Sequence, residues 1–337
     1  MRRVLGFVAL VLTAVVVLAT PAVACGGLVG ENGTIQLTRT TTLAAYHDGV
    51  ERYVTSFEFS GTGDAVGSIV PLPGIPTKVE RGGDWTLQRL EREIRPPALE
   101  RTVDVAAPQA AGSAEVLQQT QVDALDITIL RGGGDEVGKW AIDHGFLLTP
   151  DAPDVLDFYS HRSKIFMAAR FDASRAAALG QQSGDGTPIM LTIPTSEPWV
   201  PLRILALGLD SSQAVNADVF LLTDTRPTVL AADRGVEVSR SEPASASLLD
   251  DLRSDRHMGW VPDSMWLSYY DVSTPAGDLR HDLAVSTHAD TLPSARLAGF
   301  SVANASVGDD WWAPALLLVA PLVLVAGGGR LARRRES

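Results

Sequence analysis

Two apolar runs, one near each end of the 337-residue chain, decide which residues are left to build a folded body. At the front, Arg2 and Arg3 precede an apolar stretch from Val4 to Ala19, and Ala22-Val23-Ala24 follows as a small-x-small pattern. A charged region, an apolar region and a cleavage site in that order predict a signal peptide over 1–24. At the back, Trp311-Trp312 opens a run from Ala313 to Gly329 that is closed by Arg330, Arg333, Arg334 and Arg335. As helix, at 1.5 Å per residue, that run reaches roughly 25 Å against a hydrocarbon core of ~30 Å. Trp311 and Trp312 suit one interface, Arg330 can snorkel at the other, and the trailing arginines predict a cytoplasmic end. The expected layout is a signal peptide (1–24), an extracytoplasmic domain (25–290), a stalk (291–310), one transmembrane helix (311–330) and a tail (331–337). It places the protein at the cell membrane as a single-pass chain, with the membrane itself as one partner.

Cys25 is the only cysteine, so no intramolecular disulfide can form and the domain must rely on its core. Two processing chemistries fit the junction at Ala24 and Cys25. Cleavage after Ala24 leaves a free N-terminal cysteine, whereas a lipoprotein pathway places a lipid on the Cys25 sulfur. The formal charge is -12, with 45% hydrophobic and 20% charged residues. Both ends are basic, so the middle is more acidic than the whole, and such a surface repels phosphate backbones. Nucleic acid is therefore excluded as a partner.

Periodicity predicts an α+β, β-rich domain with a few short helices. Thr34–Thr40 and Tyr53–Phe59 read as a hairpin around the turn His47-Asp48-Gly49. Gly67–Val70 is a strand that runs into Pro71 and Pro73, which places it at an edge. Asp84 is expected to cap a helix that ends before Pro96, and 106–121 reads as a loose connection that could separate two subdomains. A strand at Asp126–Leu130 precedes a helix from Asp135 to His144, with Val137, Trp140, Ala141 and His144 on one face and Gly145 beyond its end. Asp151 to Tyr159 reads as a further helix. Strands are expected at Ile165–Phe171, Ile189–Ile193, Leu202–Leu207, Val219–Leu222 and Leu283–Ser286. Ser247 to Asp250 resembles a capping box.

Several segments, taken in order, resemble one bacterial family. These are Ala24-Cys25-Gly26-Gly27, the strand into Val70-Pro71-Leu72-Pro73, the helix ending at Pro96, and Lys139-Trp140-Ala141-Ile142-Asp143-His144-Gly145-Phe146. Tyr159 ahead of Lys164-Ile165-Phe166 and the run Pro198-Trp199-Val200-Pro201-Leu202-Arg203 complete the set. The chain is similar over about Cys25 to Pro227 to the domain-of-unknown-function family DUF2330. The resemblance implies an exported bacterial protein and no assigned activity. Members often carry a second cysteine soon after the first. Leu28-Val29-Gly30 stands there instead, so no family disulfide is implied for this chain.

No catalytic signature emerges. There is no His-Glu-x-x-His helix, no Cys-x-x-Cys pair and no Gly-x-Ser-x-Gly elbow. Neither a cofactor nor a metal is expected, although His281 and His288 could share an ion across a hairpin and Asp151, Asp154 and Asp157 recur at helical spacing. His144 reads as a helix C-terminal cap. Trp260, Trp266, Tyr269 and Tyr270 could form a ligand platform or belong to the core. The expected function is a membrane-anchored, non-enzymatic binding or envelope-assembly module with an envelope-protein or cell-wall partner. The alternative is an envelope hydrolase with a dispersed active site.

Overall fold

The first register is set by Asp48-Gly49. Both residues have positive φ, 51° and 73°, the pair that a two-residue hairpin turn matching the twist of its strands requires. The turn joins β2 (Gln36–His47) to β3 (Val50–Ser60), with His47 opposite Val50. A computed structural model describes residues 27–30, 36–60, 66–94, 114–180, 187–288 and 291–300. The chain divides between Gly299 and Phe300, and all the elements below belong to the first unit.

Around that hairpin grows a seven-stranded sheet. It also contains β5 (Lys78–Arg81), β9 (Ile189–Pro194), β11 (Ala214–Thr223), β13 (Val236–Pro243) and β14 (Trp266–Pro275), in the order β13-β14-β11-β2-β3-β9-β5. Every pairing is antiparallel except β11 with β2, which run parallel from Ala217↔Thr40 to Thr223↔Tyr46. A second sheet orders β1 (Gly27–Gly30), β4 (Val66–Leu72), β8 (Ile165–Phe171), β7 (Leu125–Arg131) and β6 (Glu115–Val122). A third, small sheet joins β10 (Trp199–Val200), β15 (Leu283–Ser286) and β12 (Thr228–Leu230). Pro71 is tolerated in β4 because, among the described residues, β1 pairs only as far as Ile69 and leaves β4 an edge on that side beyond it.

Among the described residues five short α-helices accompany the sheets: α1 (Thr86–Ile94), α2 (Gly134–Asp143), α3 (Ala152–Ser160), α4 (Ala173–Ala178) and α5 (Ala246–Ser254). Residues 40–45 of β2 are all buried, so both faces of the central sheet are covered. On one face Leu43, Val54 and Phe220 pack against Leu90 of α1 and Leu249 and Leu252 of α5. That face follows from alternation along the strands combined with a 3–4 residue spacing along the helices.

The structure relocates several expected features. α1 is capped from another segment. The Asp255 carboxylate accepts from the main-chain N–H of Asp84 (3.0 Å), that of Trp85 (3.0 Å) and the Thr86 hydroxyl (2.8 Å). Burial pushes that carboxyl up, but the donors from Trp85, Thr86, Arg256 and Asp84 outweigh burial and hold it below the usual carboxylate range. α5 is capped two residues earlier than expected, by Ser245 rather than Ser247, with the Ser245 hydroxyl accepting from Leu248 N at 3.2 Å. Part of the expected connection 106–121 is strand β6. The expected strand Leu202–Leu207 is a 3₁₀ turn at Arg203–Ala206, because Asp282 draws in the N–H groups of Leu202 (2.8 Å) and Arg203 (2.9 Å). At the start of the expected stalk, Leu297 and Ala298 are buried and Ala298 O accepts from Asp282 N.

The expected transmembrane helix is also corrected. Among the described residues no helix is long and apolar enough to cross a membrane. The longest described helix, α2, has 10 residues and reaches only about 15 Å, half of a ~30 Å hydrocarbon core. The run 311–330 with Trp311, Trp312 and Arg330, like the signal region with Ala24 and Cys25, lies outside the described residues. The single-pass cell-membrane location and the membrane, envelope and cell-wall partners drawn from that span therefore have no support in the fold.

Candidate metal centre

β2 and β11 run parallel and finish at the same end of the sheet. Their register pairs Tyr46 with Thr223, so the next residues, His47 and Asp224, leave the two strands side by side. The hairpin turn adds Asp48 immediately after His47. His47 Nδ1 lies 2.6 Å from Asp224 Oδ1, and its Nε2 lies 3.3 Å from Asp48 Oδ2. One ligand atom from each of the three residues falls within 4.8 Å of the others. Among the described residues this is the group of histidine and carboxylate side chains gathered closely enough to hold a metal ion.

Both chain segments are tied down. The Tyr46 hydroxyl donates to Thr195 O at 3.0 Å, and Thr195 N donates to Gly49 O at 3.1 Å, fixing the turn to the end of β9. On the other side the Thr223 hydroxyl donates to Thr225 O at 2.7 Å, and the Thr225 hydroxyl donates to Thr287 O at 3.3 Å. The loop that carries Asp224 is thereby held from both flanks. His47 is partly buried, while Asp48 and Asp224 are exposed, so an ion can enter from solvent.

Ionisable side chains crowd this end of the sheet. Burial, then the charges of Glu51 and Asp224, push the Tyr46 phenol up. Glu51 is fully buried, neither of its oxygens has a hydrogen-bond partner, and burial pushes its carboxyl up to about 8. The nearby cation is Arg52, whose guanidinium sits 4.3 Å over the Trp260 ring. Burial lowers its pKa and the Asp48 charge opposes that.

The candidate aromatic platform is divided by its own strand. Along β14, Trp266 and Tyr270 share one face and Tyr269 takes the other. Tyr269 lies in the helix-covered core, stacks on Phe220 and donates its hydroxyl to Asp218 at 2.5 Å. Tyr270 is buried, and burial pushes its phenol up to about 12. Trp266 donates to the Ser241 hydroxyl at 3.0 Å. Trp260 lies outside the strand, partly buried against the same core as Tyr269.

Four other histidines, His144, His161, His257 and His281, bond carboxylate or carbonyl oxygens. His144 Nδ1 lies 2.7 Å from Trp140 O at the end of α2, and His257 Nδ1 lies 2.8 Å from Arg81 O. His161 Nδ1 lies 2.8 Å from Asp157 O, and His281 Nδ1 lies 2.7 Å from Asp233 Oδ1. His281 and His288 do not join in a candidate metal group among the described residues.

The family motifs around Tyr159 and Trp199 build a buried knot. Arg162 Nη2 lies 2.6 Å from Asp282 Oδ2, with both side chains almost wholly buried. Its guanidinium stacks over Phe158, Tyr159 and Trp199 at 4.2, 4.6 and 4.8 Å. Tyr159 donates to Asp282 Oδ1 at 2.9 Å and accepts from Ile204 N at 2.8 Å. Burial and the Asp282 charge hold the Tyr159 phenol well above its usual range.

Residues 19–247 match the family model described as an uncharacterized protein conserved in bacteria, DUF2330. The chain belongs to the DUF2330 family. His47, Asp48 and Asp224 all fall inside the part of this DUF2330 chain that matches. No curated protein matches it. Among solved structures it is similar to that of baculovirus P35, with a TM-score of 0.42 and 10% identity, covering 75% of this chain and 97% of that one. A mutated baculovirus P35 after caspase cleavage gives a TM-score of 0.35 and 9% identity, covering 74% and 94%. Likenesses of that size carry no argument about this DUF2330 member. The family description assigns no activity, and the histidine contacts give no support to a dispersed hydrolase site. The expected membrane-anchored module and its hydrolase alternative are set aside together.

Proposed function

We propose that this protein is a divalent-cation-binding protein whose site is His47, Asp48 and Asp224. The observation that carries the reading is the gathering of one imidazole nitrogen and two carboxylate oxygens within 4.8 Å, from segments 177 positions apart. One nitrogen and two oxygens, with no thiolate, favour borderline first-row ions such as Zn²⁺ over the all-oxygen preference of Ca²⁺. Ligands at ~2.0–2.2 Å from a tetrahedral zinc lie about 3.4 Å from one another. The 2.6 Å contact between His47 and Asp224 must therefore open by roughly 1 Å when an ion enters. Proton and metal compete for the same imidazole nitrogen, so affinity falls as pH drops. Three protein ligands leave at least one position to water, which suits an exchangeable ion better than a closed structural site.

The test is thermal unfolding of chelator-treated protein with Zn²⁺, Mn²⁺ or Ca²⁺ added in turn. Binding to the folded state alone raises stability by about 2.7 kcal/mol at a hundred times the dissociation constant. Zn²⁺ should raise Tm in the natural chain and fail to do so in His47→Ala and Asp224→Asn. An equal rise in both variants, or none in the natural chain, would overturn the reading.

A further inference from the structure

A second built site lies away from the cation cluster, where three segments meet. The start of α3 contributes Asp151, Asp154 and Val155, the 3₁₀ turn and its exit contribute Arg203 and Leu209, and the turn after β14 contributes Leu279 and Arg280. They enclose a cleft of about 440 Å³, within the ~300–1,000 Å³ of small-molecule pockets. Main-chain bonds brace it. Gly208 N donates to Asp151 Oδ2 at 3.0 Å, and Gly277 N donates to Ser211 O at 2.9 Å. Arg280 is held at its base, its N–H donating to Asp233 Oδ2 at 2.6 Å and its Nε to Gly277 O at 3.0 Å.

The charges in this cleft are not spent on each other. Neither Arg203 nor Arg280 forms an ion pair among the described residues, and neither does Asp154. Arg203 is supported instead by stacking, its guanidinium 4.0 Å over the Phe158 ring. Two guanidiniums and two carboxylates thus face one cavity whose remaining wall, with Val155, Leu209 and Leu279, is apolar. A polyanion would meet Asp151 and Asp154, and a simple cation would meet both arginines. A ligand that satisfies all four groups carries one carboxylate and one ammonium.

We infer that this cleft binds a small zwitterion, a free amino acid or dipeptide with small apolar side chains. The arginines take its carboxylate, Asp151 and Asp154 take its ammonium, and the apolar wall receives its side chains. Charge-assisted bonds of this kind are shorter and stronger than neutral ones, and the planar guanidinium suits a carboxylate in particular.

The experiment is isothermal titration of the full chain with L-alanyl-L-alanine in buffer containing a chelator, so that it is independent of the cation site. Saturable one-site binding with a dissociation constant of about 1 mM or tighter is expected. Arg280→Ala and Asp154→Asn, both at exposed positions, should each weaken it by about tenfold or more while leaving Tm unchanged. The terminally blocked dipeptide, acetate and inorganic phosphate should each bind at least about tenfold more weakly than the dipeptide. No binding of the dipeptide, equal binding by the blocked form, or phosphate binding as tightly as the dipeptide would overturn the inference. So would full affinity in both variants.

Discussion

Glu51→Gln should remove most of one strong pH dependence of stability. Glu51 is fully buried with neither oxygen hydrogen-bonded, and its carboxyl is pushed from 4.5 up to about 8. Below the lower value both folded and unfolded chains are protonated there, and no penalty exists. Between the two values the unfolded chain releases a proton that the folded chain keeps, so stability falls as pH rises, by about 1.4 kcal/mol per unit. Above about 8 the loss levels off. Over that gap it amounts to about 5 kcal/mol, against a typical total of ~5–15 kcal/mol. Glutamine cannot ionise, and whatever its buried amide costs is independent of pH. The assay is urea unfolding of both chains at pH 5, 7 and 9. The stability of Glu51→Gln relative to the natural chain should improve by several kcal/mol from pH 5 to pH 9. Parallel pH profiles would refute the reasoning and mean that the carboxyl finds water or a cation in solution.

Three further outcomes follow from the packing. Asp282→Asn leaves the buried Arg162 guanidinium without its counter-charge and should cost ~3–5 kcal/mol in urea unfolding; a loss under about 1 kcal/mol would show that the aromatic stack alone supports Arg162. Trp140→Ala empties a buried site beside His144, stacked at 3.7 Å, and Phe146, and should cost ~3–5 kcal/mol; an unchanged Tm would contradict that packing. Asp255→Asn weakens the cap of α1 and should cost roughly 1–3 kcal/mol at neutral pH. Because the Asp255 pKa is lowered in the folded state, the carboxylate's contribution is present above the ordinary range and lost as pH falls, so the gap to the natural chain should narrow in acid.

What could be read from the sequence was what neighbouring residues decide. The Asp48-Gly49 turn, the helix ending at Gly145 and the long alternating strands all rest on local backbone preference and period, and each stands close to its expected place. Leu202–Leu207 misled because an apolar run has no period of its own to separate strand from turn. The carboxylate of Asp282, some 80 positions away, decided the matter by capturing two of its N–H groups. The cap of α1 was missed for the same reason, since Asp255 reaches it across about 170 positions. The cation cluster is a still clearer case. His47-Asp48 alone reads as turn chemistry, and Asp224 gains meaning only when β11 is known to lie parallel to β2 in one register. The sign available was modest: both strands end an apolar run on a metal-competent side chain. The aromatic group was close in sequence, yet strand alternation parts Tyr269 from Tyr270.

The central claim is that His47, Asp48 and Asp224 hold a divalent ion. Anomalous diffraction at the zinc edge, from crystals of the full chain soaked in Zn²⁺, addresses it directly. The account predicts one strong peak at about 2.0–2.2 Å from a His47 ring nitrogen and from one carboxylate oxygen each of Asp48 and Asp224. In that structure His47 and Asp224 would stand farther apart than 2.6 Å. Anomalous density only at other side chains, or none at all with the 2.6 Å hydrogen bond intact, would contradict it.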